Sequence, residues 1–232
     1  MLTWLAADQA FPPVHQALAE PAGLLAAGGE LTTARLLAAY RQGIFPWYNP
    51  GDPVLWWSPD PRMVLFPDEL VIQRSLLKVI RKQPYEIRVD TAFRAVMTAC
   101  AQPRAGQAGT WINADIIDAY TQLHALGMAH SVEAWHHGEL VGGLYGIALG
   151  RAFYGESMFA HAPDASKIAF VQLVRQLQRW GFGIIDCQMN TAHLARFGAR
   201  EIPRADFIAR LESLVNLTAV PTPWRFDHDP AE

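Results

Sequence analysis

The 232-residue chain has only two cysteines, Cys100 and Cys187, too few for a disulfide framework. They read as two core thiols in a reducing compartment. Long apolar runs are missing too: none reaches the ~18 residues of a transmembrane helix, so no membrane partner is expected. The stretch Met1 to Phe11 holds Asp8 and no Lys or Arg, so it lacks the charged start of a secretion signal, and a cytoplasmic protein is expected. Excess charge of one sign is absent, with 19 Lys+Arg against 22 Asp+Glu. That excludes a wholly basic nucleic-acid binder and leaves any such contact to a local patch.

Several familiar catalytic patterns are absent as well. Gly155-Glu156-Ser157-Met158-Phe159 places Phe159 where a nucleophile elbow needs glycine, so no serine hydrolase is supported. His136 and His137 are adjacent and face opposite ways in a strand, and no Cys pair has ligand spacing, so no metal is expected. Gly142-Gly143 is not followed by the Gly-Lys-Ser/Thr of a phosphate loop.

What is present is 51% hydrophobic residues, enough for a substantial core, and eight tryptophans, whose faces can stack bases as well as pack. Residues 1–62 are rich in Pro and Gly, with one clear helix at Thr33 to Gln42 stopped by Gly43 and turns elsewhere. Pro46, Pro50, Pro53, Pro59 and Pro61 break up the segment Trp47 to Arg62, which cannot form a continuous helix or a central strand. A small N-terminal α+β domain over 1–62 and a larger domain over 63–232 are expected.

In the second part Leu76, Leu77 and Ile80 mark one helix. Phe93, Val96, Met97 and Cys100 mark the next, and Asn113 to Leu126 a third, with Asn113 as cap and Gly127 as stop. Three strands follow, about His130 to His136, Leu140 to Leu149 and Ala152 to Glu156. Their short turns predict an antiparallel meander. A helix at Lys167 to Trp180, a strand at Ile184 to Gln188 and a helix at Arg204 to Val215 complete an α+β domain whose mostly antiparallel sheet is flanked by helices.

Three polar residues stand in apolar surroundings: Glu156 at a strand end, and Asp186 and Gln188 on either side of Cys187. Strand period puts Asp186 and Gln188 on one face, where the carboxylate is positioned to orient the Gln188 amide; a strand-end cap or ion-pair partner is the alternative for Asp186. Arg74, Lys78, Arg81 and Lys82 form a basic helical face with no acidic residue downstream until Glu86, suited to phosphate or simply solvated. Trp47, Trp56, Trp57 and Trp111 lie in segments broken by Pro and Gly, where packing and base stacking are both open.

The ordered segments Gly23 to Gly29, Gly43 to Trp47, Trp56 to Arg62, Thr110 to Ile112, His130 to Glu133, Leu140 to Gly146, Gly155 to Phe159 and Ile185 to Gln188 resemble the bacterial leucyl/phenylalanyl-tRNA–protein transferase family from about Phe11 to Phe207. The resemblance implies transfer of Leu or Phe, with Met as a further donor, from aminoacyl-tRNA to the α-amine of proteins bearing N-terminal Arg or Lys, marking them for degradation. It also implies a GNAT-like second domain. The loop that GNAT enzymes use for coenzyme A is absent between Glu156 and Lys167, which fits a donor other than acetyl-CoA, and no cofactor is implied.

By the same resemblance Asp186, Gln188 and Glu156 are catalytic, with Asp186 orienting Gln188 and Glu156 helping to bind substrates, including the acceptor's cationic residue. Trp47 and Trp111 flank the 3′-terminal adenosine. Leu144, Phe153, Phe170, Leu173, Leu177 and Ile185 are candidates for the Leu or Phe side-chain pocket, Ser157 contacts substrate, and the basic helix grips the acceptor stem. A monomer is expected. A single-stranded RNA-binding module and another aminoacyl-tRNA-dependent acyltransferase, usually of larger duplicated architecture, are the alternatives.

Overall fold

Proline and glycine cut the first sixty residues into pieces too short to show a period, yet four of them pair. In the computed structural model, which describes residues 2–103 and 110–227, strands β1 (Thr3–Leu5), β2 (Leu24–Gly28), β3 (Phe45–Pro46) and β4 (Leu55–Trp57) form a sheet of order β1-β2-β4-β3. The expectation of turns around a single helix is corrected here. β2 is buried along its whole length and so shows no alternation. β4, inside the proline-broken tryptophan segment, is an interior strand paired on both sides. It escapes the proline rule because its three residues lie between Pro53 and Pro59. Helix α1 (Thr33–Arg41) starts where Thr32 Oγ1 accepts from the Arg35 backbone N–H at 3.2 Å.

The larger sheet has seven strands. They are β5 (Arg62–Leu65), β6 (Glu86–Val89), β7 (Ala129–His136), β8 (Glu139–Leu149), β9 (Ala152–Ala160), β10 (Ile184–Gln188) and β11 (Arg200–Ile202), in the order β11-β5-β10-β9-β8-β7-β6. Every neighbouring pair is antiparallel except β9 with β10. The meander β7-β8-β9 turns at His137 and Gly138, both with positive φ, as a tight hairpin requires. The helices are α2 (Arg74–Ile80), α3 (Phe93–Cys100), α4 (Ala114–Ala125), α5 (Ala165–Arg179), α6 (Ala192–Ala195) and α7 (Arg204–Leu214). No helix among the described residues is long and apolar enough to cross a membrane.

Strand alternation divides the core. On one face Val64, Tyr145, Ile147, Tyr154 and Ile184 pack with α3, α4, α7 and the first sheet, in a cluster that includes Leu36, Tyr40 and Trp56. On the other face Met63, Leu65, Val132, Leu144, Phe153 and Ile185 meet α5 and α2. Gly43, at φ +69°, ends the first helix where α7 crosses; a Cβ there would lie 2.6 Å from Ile208 Cδ1 and 2.8 Å from Phe207 Cε1. This close approach brings Phe45, on β3, over the end of β5.

Candidate active site

The parallel pair β9/β10 is short. Ile184, Ile185 and Asp186 pair with Ala152, Phe153 and Tyr154, and beyond that point β9 continues beside β8 while β10 stays with β5. Each strand carries a bulge just past the separation, in β9 opposite Tyr145/Gly146 and in β10 between Asp186 and Gln188. Bulges of this kind re-aim side chains. The two strands thus part into a mouth bordered by partly exposed Gly155, Glu156, Ser157 and Met158 on one side and Cys187 and Gln188 on the other. A Cβ built on Gly155 would meet only the Asp186 carbonyl oxygen within 4 Å, at 3.6 Å.

At the base of the mouth lies a fully buried ion pair. Arg62 Nε donates to Asp186 Oδ1 at 2.8 Å and Nη2 to Oδ2 at 2.7 Å, and both side chains are 0% exposed. The guanidinium is held between the rings of Phe45 and Phe207, 4.8 and 4.7 Å from their centroids. Asp186 Oδ1 also accepts the Gln188 backbone N–H at 2.9 Å, which fixes Gln188 in the left-handed region at φ +63°.

The expected bond from Asp186 to the Gln188 amide is therefore corrected. The bulge breaks the period of two, Asp186 takes the backbone of Gln188, and the side-chain Nε2 donates instead to Glu156 Oε1 at 3.0 Å. Glu156 is the hub of a polar cluster. Tyr40 Oη, from α1, donates to Oε1 at 2.8 Å. Tyr120 Oη, from α4, lies 3.2 Å from Oε2, and the two tyrosine hydroxyls touch each other. Tyr154 Oη donates to the Tyr40 carbonyl at 2.9 Å and steadies this arrangement.

Burial pushes the Glu156 carboxyl up to about 8, with the Asp186 charge acting in the same direction and the Tyr40 and Tyr120 hydrogen bonds and Arg62 opposing it. Burial, then the Glu156 charge, raises Tyr40 and Tyr120 well above the usual phenol range. Burial likewise raises the Cys187 thiol, with the Asp186 charge acting in the same direction.

The remaining candidates are spread around this centre. Trp47 follows β3, is 42% exposed, and meets Trp57 edge-on at 5.6 Å between centroids. Trp111, half-buried, precedes the α4 cap Asn113, whose Oδ1 accepts from the Ile116 backbone N–H at 3.0 Å. Ser157 stands opposite Tyr145 at the lip of the mouth. Leu144, Phe153, Phe170, Leu173, Leu177 and Ile185 come together, but as closed core on the α5 side of the sheet, across from Glu156 and Asp186. Partly buried Met158 packs on that cluster from the mouth.

Arg74 and Lys78 lie on α2 with Arg81 and Lys82 just beyond it, all exposed, and among the described residues none has a carboxylate at ion-pair distance. A groove of about 110 Å³, lined by Ser75, Val79, Lys167 and His193 among others, runs from α2 to the start of α5 and α6.

Arg62, Tyr40 and Tyr120 were not legible as site residues. Tyr40 sits on the apolar stripe of its helix and reads as core, and Arg62 meets a partner 124 residues away. The segment His130 to Glu133 is structural: Glu133 accepts from the backbone N–H groups of Thr91 and Ala92 at the start of α3, and Asp90 accepts from His130 Nδ1 at 2.8 Å.

Residues 64–212 match the family described as Leucyl/phenylalanyl-tRNA protein transferase, and residues 29–60 match its N-terminal domain. Three relatives bear the name leucyl/phenylalanyl-tRNA–protein transferase. That of Nitrosospira multiformis is 62% identical over 232 residues, all of both chains. That of Nitrosomonas europaea is 63% identical over 98% of this chain and 96% of its own. That of Thiobacillus denitrificans is 63% identical over 94% and 95%.

Proposed function

Because the chain belongs to the leucyl/phenylalanyl-tRNA protein transferase family and is an aminoacyltransferase acting from tRNA onto protein, we propose that the β9/β10 mouth is where Leu or Phe, with Met as a further donor, passes to an acceptor bearing N-terminal Arg or Lys, marking it for degradation. An aminoacyl ester is already activated, so positioning carries the rate, with no nucleophilic side chain. The acceptor α-amine, with a reference pKa of about 8, is partly neutral at physiological pH. Gln188 offers its amide oxygen to that amine, because its Nε2 is committed to Glu156 and its backbone to Asp186. This convergence of three residues on one strand opening is the observation that carries the reading.

The proposed unit 1–62 contributes Tyr40, Phe45, Trp47 and Arg62, and the unit 63–232 the rest. Trp47 and Trp111 flank the terminal adenosine. The donor side chain enters between the strands past Ser157 and Met158 toward Leu144, Phe153, Phe170, Leu173, Leu177 and Ile185, and Arg74, Lys78, Arg81 and Lys82 meet acceptor-stem phosphates. The protein acts as a monomer in the cytoplasm.

Labelled Leu-tRNA incubated with two peptides differing only in N-terminal Arg or Ala tests the reading. Label is expected on the Arg peptide alone, and equal labelling or none would overturn it. Trp47→Ala and Trp111→Ala are each expected to weaken aminoacyl-tRNA binding by about 1–3 kcal/mol, the usual worth of a stacked base. Titration of labelled tRNA checks this, with melting temperature as the fold control.

A further inference from the structure

Four oxygen atoms beside the mouth make three mutual contacts: Tyr40 Oη with Glu156 Oε1, Tyr120 Oη with Glu156 Oε2, and Tyr40 Oη with Tyr120 Oη. Each contact needs one hydrogen, or two lone pairs face each other in a buried site. The tyrosines hold two hydrogens between them and, with their pKa values raised, keep both. Gln188 Nε2 is aimed at Oε1 as well, so it supplies nothing to the other contacts. One hydrogen is missing.

The geometry points to its source: Glu156 is a neutral carboxylic acid in the working enzyme, and in this form it positions Gln188. Oε2–H donates to Tyr120, Tyr120 to Tyr40, and Tyr40 to Oε1, closing a ring with every contact filled. Oε1, receiving both Tyr40 and Gln188 Nε2, is then the carbonyl oxygen, and Oε2, with one partner, the hydroxyl.

The charged groups nearby agree. Arg62 is the cation acting on this carboxyl, and its bidentate pairing spends it on Asp186, whose own negative charge disfavours a second carboxylate. Burial acts in the same direction. Tyr48, beyond Tyr120, adds no cation. A neutral acid cannot be the countercharge for the acceptor's Arg or Lys, so that role for Glu156 falls away. The inference rests on the reading that Gln188 receives the attacking amine.

Infrared difference spectroscopy of the full chain reads the protonation state directly and without activity. At pH 7 the wild-type protein is expected to show a buried carboxylic-acid C=O band that Glu156→Gln removes. Tyr40→Phe tests the ring: it deletes a donor to Oε1 while burial stays, so the acid band is expected to persist at that pH but to move to higher frequency as the C=O loses a hydrogen bond.

Glutamine reproduces the ring, with a carbonyl for Oε1 and an amide N–H for Oε2–H. Glu156→Gln should therefore recover most of the transfer, to within about tenfold of wild type, that Glu156→Ala loses. It should also lose the fall in kcat that ionisation of the acid produces above about pH 8. No wild-type acid band, a band that Tyr40→Phe leaves unshifted, or a Glu156→Gln variant as slow as Glu156→Ala would overturn the assignment. Failure of wild-type transfer would instead overturn the proposed function, whatever the spectrum shows.

Discussion

Arg62→Met is expected to destabilise the fold by about 3–5 kcal/mol, the cost of leaving one member of a buried ion pair uncompensated. Both side chains are fully buried, and the methionine would sit between Phe45 and Phe207 while the Asp186 carboxylate was left without either donor. Asp186→Asn should be similarly damaging, since it strands the guanidinium instead. Urea unfolding of the two variants checks this, with a lowered midpoint expected for each. The double variant Arg62→Met/Asp186→Leu should regain much of the missing stability, because an apolar pair can replace a buried salt bridge. It should not regain transfer, because the Gln188 backbone N–H then has no acceptor. A fully active double variant would contradict the role given to Asp186.

Replacing Arg74, Lys78, Arg81 and Lys82 together with Gln is expected to flatten the dependence of log affinity on log salt by about 3, at roughly 0.7–0.9 for each phosphate no longer neutralised. All four side chains are exposed, and none has a carboxylate at ion-pair distance among the described residues. The change should therefore leave the melting temperature nearly untouched while tRNA binding weakens uniformly across tRNA sequences. Fluorescence anisotropy across a salt series measures it. An unchanged slope would move the phosphate-binding role to another surface.

The sequence announces the parts of this fold whose signals are local. The stripe Phe93, Val96, Met97, Cys100 is helix α3, and Asn113 caps α4 by accepting from Ile116 N–H. The meander from Ala129 to Ala160 follows its turns. What is not legible depends on partners distant in the chain. Strands β3 and β4, two and three residues long, exist through their mutual pairing. β5, four buried residues with no alternation, reads as nothing until β10 and β11 lie beside it.

The candidate site divides the same way. Glu156, Asp186 and Gln188 stand out as polar residues in apolar strands, but one bulge after Asp186 redirects the Gln188 amide to Glu156. Tyr40 and Tyr120 lie on the apolar stripes of α1 and α4, so nothing in their spacing marks them as the pair that holds the Glu156 carboxyl. The apolar candidates from Leu144 to Ile185 are correctly grouped by periodicity, yet periodicity alone does not reveal that they lie across the sheet from the polar centre.

Gln188→Ala is the cleanest test of that centre, since it removes an amide at the mouth and leaves the buried ion pair intact. The decisive measurement is single-turnover transfer of labelled Leu from tRNA to an N-terminal Arg peptide, with tRNA affinity determined on the same preparation. If Gln188 receives the attacking amine, the rate falls by about 100-fold, the scale of losing one polar group that acts in the transition state, with affinity and melting temperature unchanged. Transfer at the wild-type rate, or a fall explained wholly by weaker tRNA binding, would contradict that role.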